Sequence, residues 1–128
     1  MSTSPGGAAE APEPSQDPGC LFCRVVAGEV PAEVVYEGPR VLGFRDIDPQ
    51  APTHVLVVPR AHHPSVAALA AAEPAALADL VAAAGEVASA EGHEDYRLVF
   101  NTGAGAGQSV FHVHGHVLAG RPMTWPPG

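Results

Sequence analysis

The sequence predicts an α+β domain of about five antiparallel strands, with one long helix and one short helix packed on one side of the sheet. The run Thr53–Pro59 is short, β-branched and closed by proline, which is typical of a buried strand. Pro74–Ala90 repeats apolar residues at helical spacing. Residues 112–118 alternate with the period of two that a half-buried strand shows. At 128 residues and 46% apolar content, the chain is long enough for one such core.

The first half of the chain predicts a short helix followed by a hairpin. Residues 24–28 are expected to be helical, with a glycine at the carboxyl end. Residues 31–37 and 41–46 are each typical of a strand, and the Gly-Pro pair between them predicts a turn. The two strands are close enough in sequence to pair as a hairpin.

The second half predicts the long helix and the last strands. Ser65 can cap a short helical turn, and Pro74 suits the first position of the long helix. Gly92 ends that helix, and residues 96–101 return as a strand. One apolar stripe of the helix is predicted to lie across the sheet: Leu77, Leu80, Val81, Ala84 and Val87.

The overall charge limits the classes of partner. A formal net charge of −8 disfavours a nucleic-acid or anionic-membrane partner, because such binding relies on clustered Lys and Arg. A small phosphate ester is compatible with this charge, since local donors can outweigh it. No segment approaches the ~20 apolar residues that a membrane-spanning helix needs. We therefore predict neither a nucleic-acid nor a membrane partner.

The amino-terminal residues 1–18 differ in composition from the rest. They are rich in Ser, Pro, Gly, Ala and Glu, so they cannot bury enough surface to offset their ordering entropy. We predict that they are disordered and that the folded domain spans residues 19–128. They also lack the basic start and apolar run of a secretory signal, so a cytoplasmic location is expected.

Cys20 and Cys23 form a CxxC pair at the start of the predicted domain. Three interpretations are open: half of a zinc site, two unrelated free cysteines, or a redox pair. Redox chemistry is disfavoured because no strand-then-helix setting of the thioredoxin kind surrounds the motif. A closed structural zinc site needs four ligands, so two more would come from elsewhere. In a reducing cytoplasm a lasting disulfide is not expected.

His112, His114 and His116 are the feature of the chain with the richest chemistry. In a strand they would share one face at steps of roughly 6.6 Å, with Val113 and Val117 on the other face. Imidazole can act as nucleophile, general acid or base, or metal ligand near neutral pH. A histidine-rich strand or a stray metal-binding tract is the alternative, but the regular spacing and the flanking residues favour a built site.

Residues 102–109 are a glycine-rich loop before the histidines. Glycine lets backbone N–H groups approach a phosphate without obstruction, although a hairpin loop with no ligand is the alternative. The loop is not a Walker or dinucleotide fingerprint, since no helix follows it and the required Lys is missing. Its main predicted effect is to deliver Gln108 and Ser109 next to the histidines.

Residues 107–128 and residues 44–54 together carry a family resemblance. The first stretch joins the Gln-Ser pair, the three histidines and a terminal Trp-Pro-Pro-Gly, and the second contains an Asp-Ile-Asp-Pro-Gln run before a histidine. The chain thereby resembles the histidine triad (HIT) superfamily, Hint branch, over roughly residues 20–128. The resemblance implies a HIT-like fold and a homodimer whose two sheets join edge to edge.

The resemblance also implies covalent catalysis at the α-phosphate of a nucleotide. His114 would be the nucleophile, provided that an acceptor such as a backbone carbonyl holds its other ring nitrogen as a donor. His116 would contact the phosphate oxygens, with His112 completing the triad, and Ser109 would hydrogen-bond or help to protonate the leaving group. Three further residues would orient the substrate or take developing charge: Asn101, Gln108 and, through its N–H, Gly107.

The nucleoside is implied to bind beside the triad. Asp46 would accept hydrogen bonds from the ribose hydroxyls, while Phe22, Phe44 and Ile47 would wall the purine. In the family, the tail reaches the site of the partner subunit, which makes Trp125 a specificity element. The alternatives are that Asp46 caps its own turn, that the apolar residues are core, and that Trp125 is an exposed terminal aromatic.

A structural zinc ion is implied by the bacterial relatives that carry CxxC. In them a histidine on a central strand and the first histidine of the triad complete the site, which gives Cys20, Cys23, His54 and His112 here. His54 is otherwise a satisfied core histidine, and His62 is assigned only packing or hydrogen bonding. No catalytic metal is required.

The resulting hypothesis is a hydrolase of purine nucleoside phosphoramidates or acyl-nucleotides that releases AMP or GMP. A dinucleoside polyphosphate hydrolase of the same superfamily is disfavoured by the Hint-like tail, and a nucleotide-binding adaptor with incidental turnover is disfavoured by the intact triad.

Two positions depart from the family pattern. Gly115 replaces a bulky apolar residue, so the back of the sheet is expected to be thin or filled by a neighbour, and Thr124 stands where histidine is frequent.

Overall fold

A computed structural model describes residues 16–128. Five strands form one antiparallel sheet in the order β1-β2-β3-β5-β4. The elements are α1 (Leu21–Val26), β1 (Val34–Glu37), β2 (Val41–Arg45), β3 (Thr53–Pro59), α2 (Val66–Ala72), α3 (Pro74–Ala90), β4 (Arg97–Phe100) and β5 (Gly115–Ala119). A short 3₁₀ turn, Ala104–Ala106, lies in the glycine-rich loop. The predicted α+β class and antiparallel sheet are confirmed.

Strand β3 is the centre of the sheet, and all seven of its residues are buried. An apolar strand of this kind must be covered on both faces. Helices α2 and α3 cover one face, where Val55 and Val57 join the larger core. Helix α1 covers the other face, where Phe22 packs with Leu56 and Val58. The prediction of one long and one short helix on one side is therefore wrong in this detail, since three helices cover two sides.

Helix α3 has the predicted bounds, with proline in its first turn. Its buried stripe is made largely of alanine: Ala76, Leu80, Ala83, Ala84, Val87 and Ala88. Val81 was predicted to belong to the stripe but is 44% exposed. Small side chains let the helix lie close to the sheet. The buried face is therefore the one rich in alanine, and it is rotated from the face that the larger apolar residues predicted. Ser65 caps α2 as predicted, its Oγ accepting from the N–H of Ala68 at 3.2 Å.

Strand β5 begins at Gly115, three residues later than predicted. The N–H of Val113 donates to the carbonyl of His63 at 2.8 Å and not to a strand partner. Val113 and Val117 still reach the core under α3. A Cβ on Gly115 would lie 2.9 Å from Leu98 Cδ1 and 3.0 Å from Phe100 Cζ. Neighbours on β4 therefore fill the space behind this glycine.

Asp17, in the segment before residue 19, contacts the start of α1. The N–H of Cys20 donates to the carbonyl of Asp17 at 2.9 Å, and the N–H of Asp17 approaches Cys23 Sγ at 3.3 Å. Of the segment predicted to be disordered, the structure describes residues 16–18, and residues 1–15 lie outside the described residues. Among the helices of residues 16–128, none combines the length and apolar character needed to cross a membrane.

Candidate active site

The three histidines lie side by side on the α1 side of the sheet. The ring centroids of His114 and His116 are 5.0 Å apart. Phe22 of α1 stands edge-on to His114 with a centroid separation of 5.0 Å. His112 and His114 are buried and His116 is half-buried. The predicted row of imidazoles is present, although only its last member belongs to a strand.

His114 has one ring nitrogen fixed and the other left for chemistry. Its Nδ1 lies 2.9 Å from the backbone oxygen of His112. Because a carbonyl can only accept, Nδ1 carries a proton, and the tautomer that this selects has its lone pair on Nε2. This is the backbone acceptor that a nucleophilic imidazole needs.

Burial keeps the outer histidines neutral. It lowers the pKa of His112 to about 4 and that of His116 to about 4. For His116, repulsion from His114 and His54 lowers the pKa further, and attraction to Asp46 opposes this. At neutral pH each ring therefore carries one proton.

A second cluster, here called the metal cluster, consists of Cys20, Cys23, His62 and His112. Its four candidate ligand atoms lie within 4.8 Å of one another. His112 donates from Nε2 to the carbonyl of Pro59 at 2.8 Å, so its Nδ1 holds a lone pair. That nitrogen is 3.5 Å from each of the two sulfurs. His62 Nδ1 lies 3.4 Å from Cys23 Sγ.

The donor set of this cluster fits a structural zinc ion. Two thiols and two imidazoles are a common tetrahedral zinc set. The N–H of Cys23 approaches Cys20 Sγ at 3.3 Å, and the N–H of Asp17 approaches Cys23 Sγ at the same distance. Burial raises the pKa of the Cys23 thiol, so zinc binding would release its proton. The carbonyl of Pro59 supplies the outer hydrogen bond that orients a ligating histidine.

The structure does not bring His54, the fourth predicted zinc ligand, to Cys20, Cys23 and His112. His54 lies on β3 with its Nε2 2.9 Å from Nδ1 of His116 and 3.4 Å from Asp46 Oδ2. His62 takes the fourth place in the metal cluster instead. The sequence contained a signal for this choice: His62 follows the end of β3 closely, and antiparallel pairing brings that end beside the residues that precede β5.

Residues 62–64, which follow β3, contact three parts of the site. The side chain of His62 joins the metal cluster. The carbonyl of His63 accepts from the N–H of Val113, and the carbonyl of Pro64 accepts from Gln108 Nε2 at 2.7 Å. Residues 62–64 therefore connect the metal cluster, the histidine segment and the glycine-rich loop.

The glycine-rich loop is closed by Gln108, which is 4% exposed. Its Oε1 accepts from the N–H of Gly103 at 2.8 Å, and its Nε2 also donates to the carbonyl of Val110 at 3.1 Å. Both amide hydrogens are thus bound to backbone carbonyls, so Gln108 shapes the loop; that it also orients the substrate stays a prediction. Ser109 is exposed, as is Gly107, whose φ of 97° requires glycine.

The residues predicted to bind the nucleoside divide into two groups. Phe22 and Phe44 are core residues in edge-to-face contact, with centroids 5.5 Å apart. Ile47 is 100% exposed and Trp125 is 83% exposed, so their apolar surfaces are free in the single chain. Asp46 accepts at Oδ1 from the N–H of Asp48 at 2.8 Å, which is the predicted turn cap.

A surface groove opens beside the metal cluster. Its lining joins the amino-terminal segment to the loop before the histidines: Asp17, Gly19, Cys20, Leu21, His62, Ser109, Val110 and Phe111. Leu21 is 45% and Phe111 52% exposed, so the groove has apolar walls next to the hydroxyl of Ser109. Asn101 is half-buried, and its Nδ2 would be 3.7 Å from a Cβ on Gly107.

The fold and the histidine site are those expected of a histidine triad protein, and comparison with known proteins agrees with this class. The sequence-family model described as HIT domain matches residues 27–123. The chain is 47% identical over 112 residues to the 14 kDa zinc-binding protein of Zea mays, covering 84% of this chain and 87% of that protein.

Two solved structures are also similar. One is a HIT family hydrolase from Legionella pneumophila, with 48% identity, a TM-score of 0.82, and coverage of 86% of this chain and 100% of that chain. The other is a HIT family hydrolase from Clostridium thermocellum, with 39% identity, a TM-score of 0.82, and coverage of 85% and 96%. The chain belongs to the HIT family.

Proposed function

We propose that this protein hydrolyses purine nucleoside phosphoramidates or acyl-nucleotides through a covalent nucleotidyl-His114 intermediate, and that it releases AMP or GMP. The observation that carries the proposal is the state of His114: Nδ1–H is held by the His112 carbonyl, which leaves the Nε2 lone pair for attack. The two similar structures named as hydrolases support the reaction class.

The first half-reaction transfers the nucleotidyl group. His114 Nε2 attacks the α-phosphorus and the bond from phosphorus to the leaving nitrogen or oxygen breaks. An amine leaves poorly until it gains a proton, and Ser109 is the hydroxyl next to the groove that would hydrogen-bond to it or help to deliver that proton. The groove walls of Leu21 and Phe111 would accommodate an apolar leaving group.

The second half-reaction releases the nucleotide. Water attacks the phosphorus and gives up one proton, which replaces the proton that the leaving group took in the first half-reaction; the bond to His114 Nε2 breaks, and the nitrogen regains its lone pair. The non-bridging phosphate oxygens carry negative charge throughout, so they need donors that stay in place. We assign His116 and the N–H of Gly107 to this role, with Asn101 orienting the substrate.

The nucleoside would lie over the exposed surface beside Asp46. One oxygen of Asp46 caps its turn, and the other is available to a ribose hydroxyl. The exposed Ile47 would pack on the purine, while the core rings of Phe22 and Phe44 support this wall from below. Trp125 would complete the site of a partner subunit.

The remaining parts of the proposal concern metal, assembly and location. The metal cluster would hold zinc as a structural ion, which pins the amino-terminal segment to His112 and takes no part in bond breaking. Strand β4 is an edge of the sheet, and pairing of two such edges would give a homodimer. We place the protein in the cytoplasm.

The test is product analysis and intact-mass spectrometry with an adenosine phosphoramidate, for wild type and His114→Ala. We expect AMP and a transient adenylyl adduct from wild type, and neither from the variant, with circular dichroism to show that both are folded. Preferential cleavage of a diadenosine polyphosphate would favour the related hydrolase. Nucleotide binding without any AMP release would favour an adaptor and contradict the proposal.

A further inference from the structure

The hydrogen bonds of His54 fix where its proton lies. The backbone N–H of Gln50 donates to His54 Nδ1 at 3.0 Å. A backbone amide can only donate, so Nδ1 carries no hydrogen. Burial lowers the pKa of His54, against the attraction of Asp46 and Asp48, so the ring is neutral at neutral pH. Its single proton must therefore be on Nε2.

The proton on His54 Nε2 has one well-placed acceptor. His116 Nδ1 is at 2.9 Å, within the usual range for such a bond, whereas Asp46 Oδ2 at 3.4 Å is beyond it. His116 Nδ1 consequently accepts and carries no hydrogen. The neutral ring of His116 then holds its proton on Nε2, the nitrogen left for a ligand.

We propose that His54 is a positioning residue that sets the tautomer of His116, so that the site offers an N–H donor at His116 Nε2 beside a lone pair at His114 Nε2. His114 is thereby protonated on Nδ1 and its neighbour His116 on Nε2. His114 is set by the carbonyl of His112, and His116 is set by the chain from Gln50 through His54.

A metal ion shared by Asp46, His54 and His116 is the competing interpretation, because their ligand atoms lie within 4.8 Å of one another. A histidine that binds metal normally donates its other ring N–H to an acceptor. The other nitrogen of His54 faces the N–H of Gln50, which is a donor. Ligation through Nε2 would leave the ring without any proton, so the hydrogen-bonded chain fits better.

The arrangement has a consequence for the reaction, which rests on the proposed function. Phosphate oxygens accept hydrogen bonds, so the Nε2–H tautomer of His116 binds them without a proton transfer. The other tautomer would direct a lone pair at those oxygens. Loss of the His54 donor should therefore lower kcat more than it raises KM.

The first experiment reads the tautomer in the resting protein. Two-bond proton–nitrogen correlation spectra would be recorded on nitrogen-15-labelled wild type, His54→Gln and His54→Leu. The glutamine amide nitrogen can replace Nε2 as a donor, and leucine cannot. We expect the Nε2–H tautomer of His116 in wild type and His54→Gln, and a mixture in His54→Leu.

The matched control is His93→Leu. His93 is a half-buried histidine that hydrogen-bonds Thr53 Oγ1 at 3.0 Å outside the triad, and its replacement should leave the His116 spectrum unchanged. A wild-type His116 protonated on Nδ1, or an unchanged His116 in His54→Leu, would overturn the proposal. So would a second equivalent of zinc that binds stoichiometrically through His54 and His116.

The second experiment measures turnover of the adenosine phosphoramidate. His54→Leu should reduce kcat by about 10²-fold, the scale of one lost donor to a developing oxyanion, and His54→Gln should recover much of it. Equal kcat for the leucine variant and wild type would contradict the positioning role. Absence of turnover by wild type would contradict the proposed function alone, since the spectra decide the tautomer separately.

Discussion

Gly120 is expected to be among the least replaceable glycines of the described chain, and Gly120→Ala tests why. It follows β5 with a φ of +97°, and a Cβ there would lie 2.9 Å from Cβ and 3.1 Å from Cγ of Pro52. Two costs therefore add. A left-handed conformation costs an alanine roughly 1–2 kcal/mol, and overpacking against a rigid proline ring costs about 1–3 kcal/mol.

Gly92→Ala is the matched control, because it has a φ of +87° and nothing within 4 Å of its Cβ position. Only the conformational cost applies there. We expect the free energy of unfolding to fall by about 2–5 kcal/mol for Gly120→Ala and by about 1–2 kcal/mol for Gly92→Ala. At about 4 °C per kcal/mol for a domain of this size, the two melting temperatures should differ by ~4–12 °C.

The assay is urea unfolding with thermal melting on the zinc-loaded protein. Equal destabilisation of the two variants would show that Pro52 yields, and that backbone conformation alone demands glycine at position 120. The result bears on the site because Pro52 lies two residues after Gln50, whose N–H donates to His54 and whose carbonyl accepts from Arg121 Nε at 2.8 Å.

Two other predictions concern the metal cluster and pH. His62→Ala should lose bound zinc while His54→Ala retains about one ion per chain, measured by metal analysis after gel filtration; retention by His62→Ala together with loss by His54→Ala would reverse the ligand assignment. The stability of the metal-free protein should fall as pH decreases from about 6.5, the pKa of unfolded histidine, towards the folded pKa of His116, about 4. The unfolded chain binds more protons in that window, so acid favours unfolding; a flat unfolding free energy there, followed by urea titration, would contradict the lowered pKa.

Patterns within a short stretch of sequence predicted the helix and the strand that such a stretch determines. Strand β3 and helix α3 have the predicted bounds because one is a continuous β-branched run and the other has a proline start and helical spacing. The prediction that Val81 is buried is wrong, because the helix face that meets the sheet depends on how closely the helix approaches it. Gly115 was flagged as a gap in the sheet, yet only the strand register reveals that Leu98 and Phe100 fill it.

The candidate site was predictable in its residue types and only partly in its connections. The row from His112 to His116 and the CxxC pair were visible in the sequence. The position of His62 just after β3 was a signal in the sequence, but it does not by itself decide between His54 and His62, since the choice depends on which ring meets the sulfurs after β3 and β5 pair. The loop contacts of Gln108 were not predictable either, since a sequence does not reveal that three backbone groups hydrogen-bond its amide.

The contacts that build the site join distant parts of the chain, and this determines when the site can form during folding. His54 and His116 are 62 positions apart, and Cys20 and His112 are 92 apart. Contacts of such separation carry a large loop-closure entropy and form slowly. A folding intermediate in which β5 has not yet paired with β3 would hold neither the metal cluster nor the hydrogen bond between His54 and His116. Assembly of both clusters therefore depends on the long-range pairing of β5 with β3, whereas the hydrogen bonds within α3 are local.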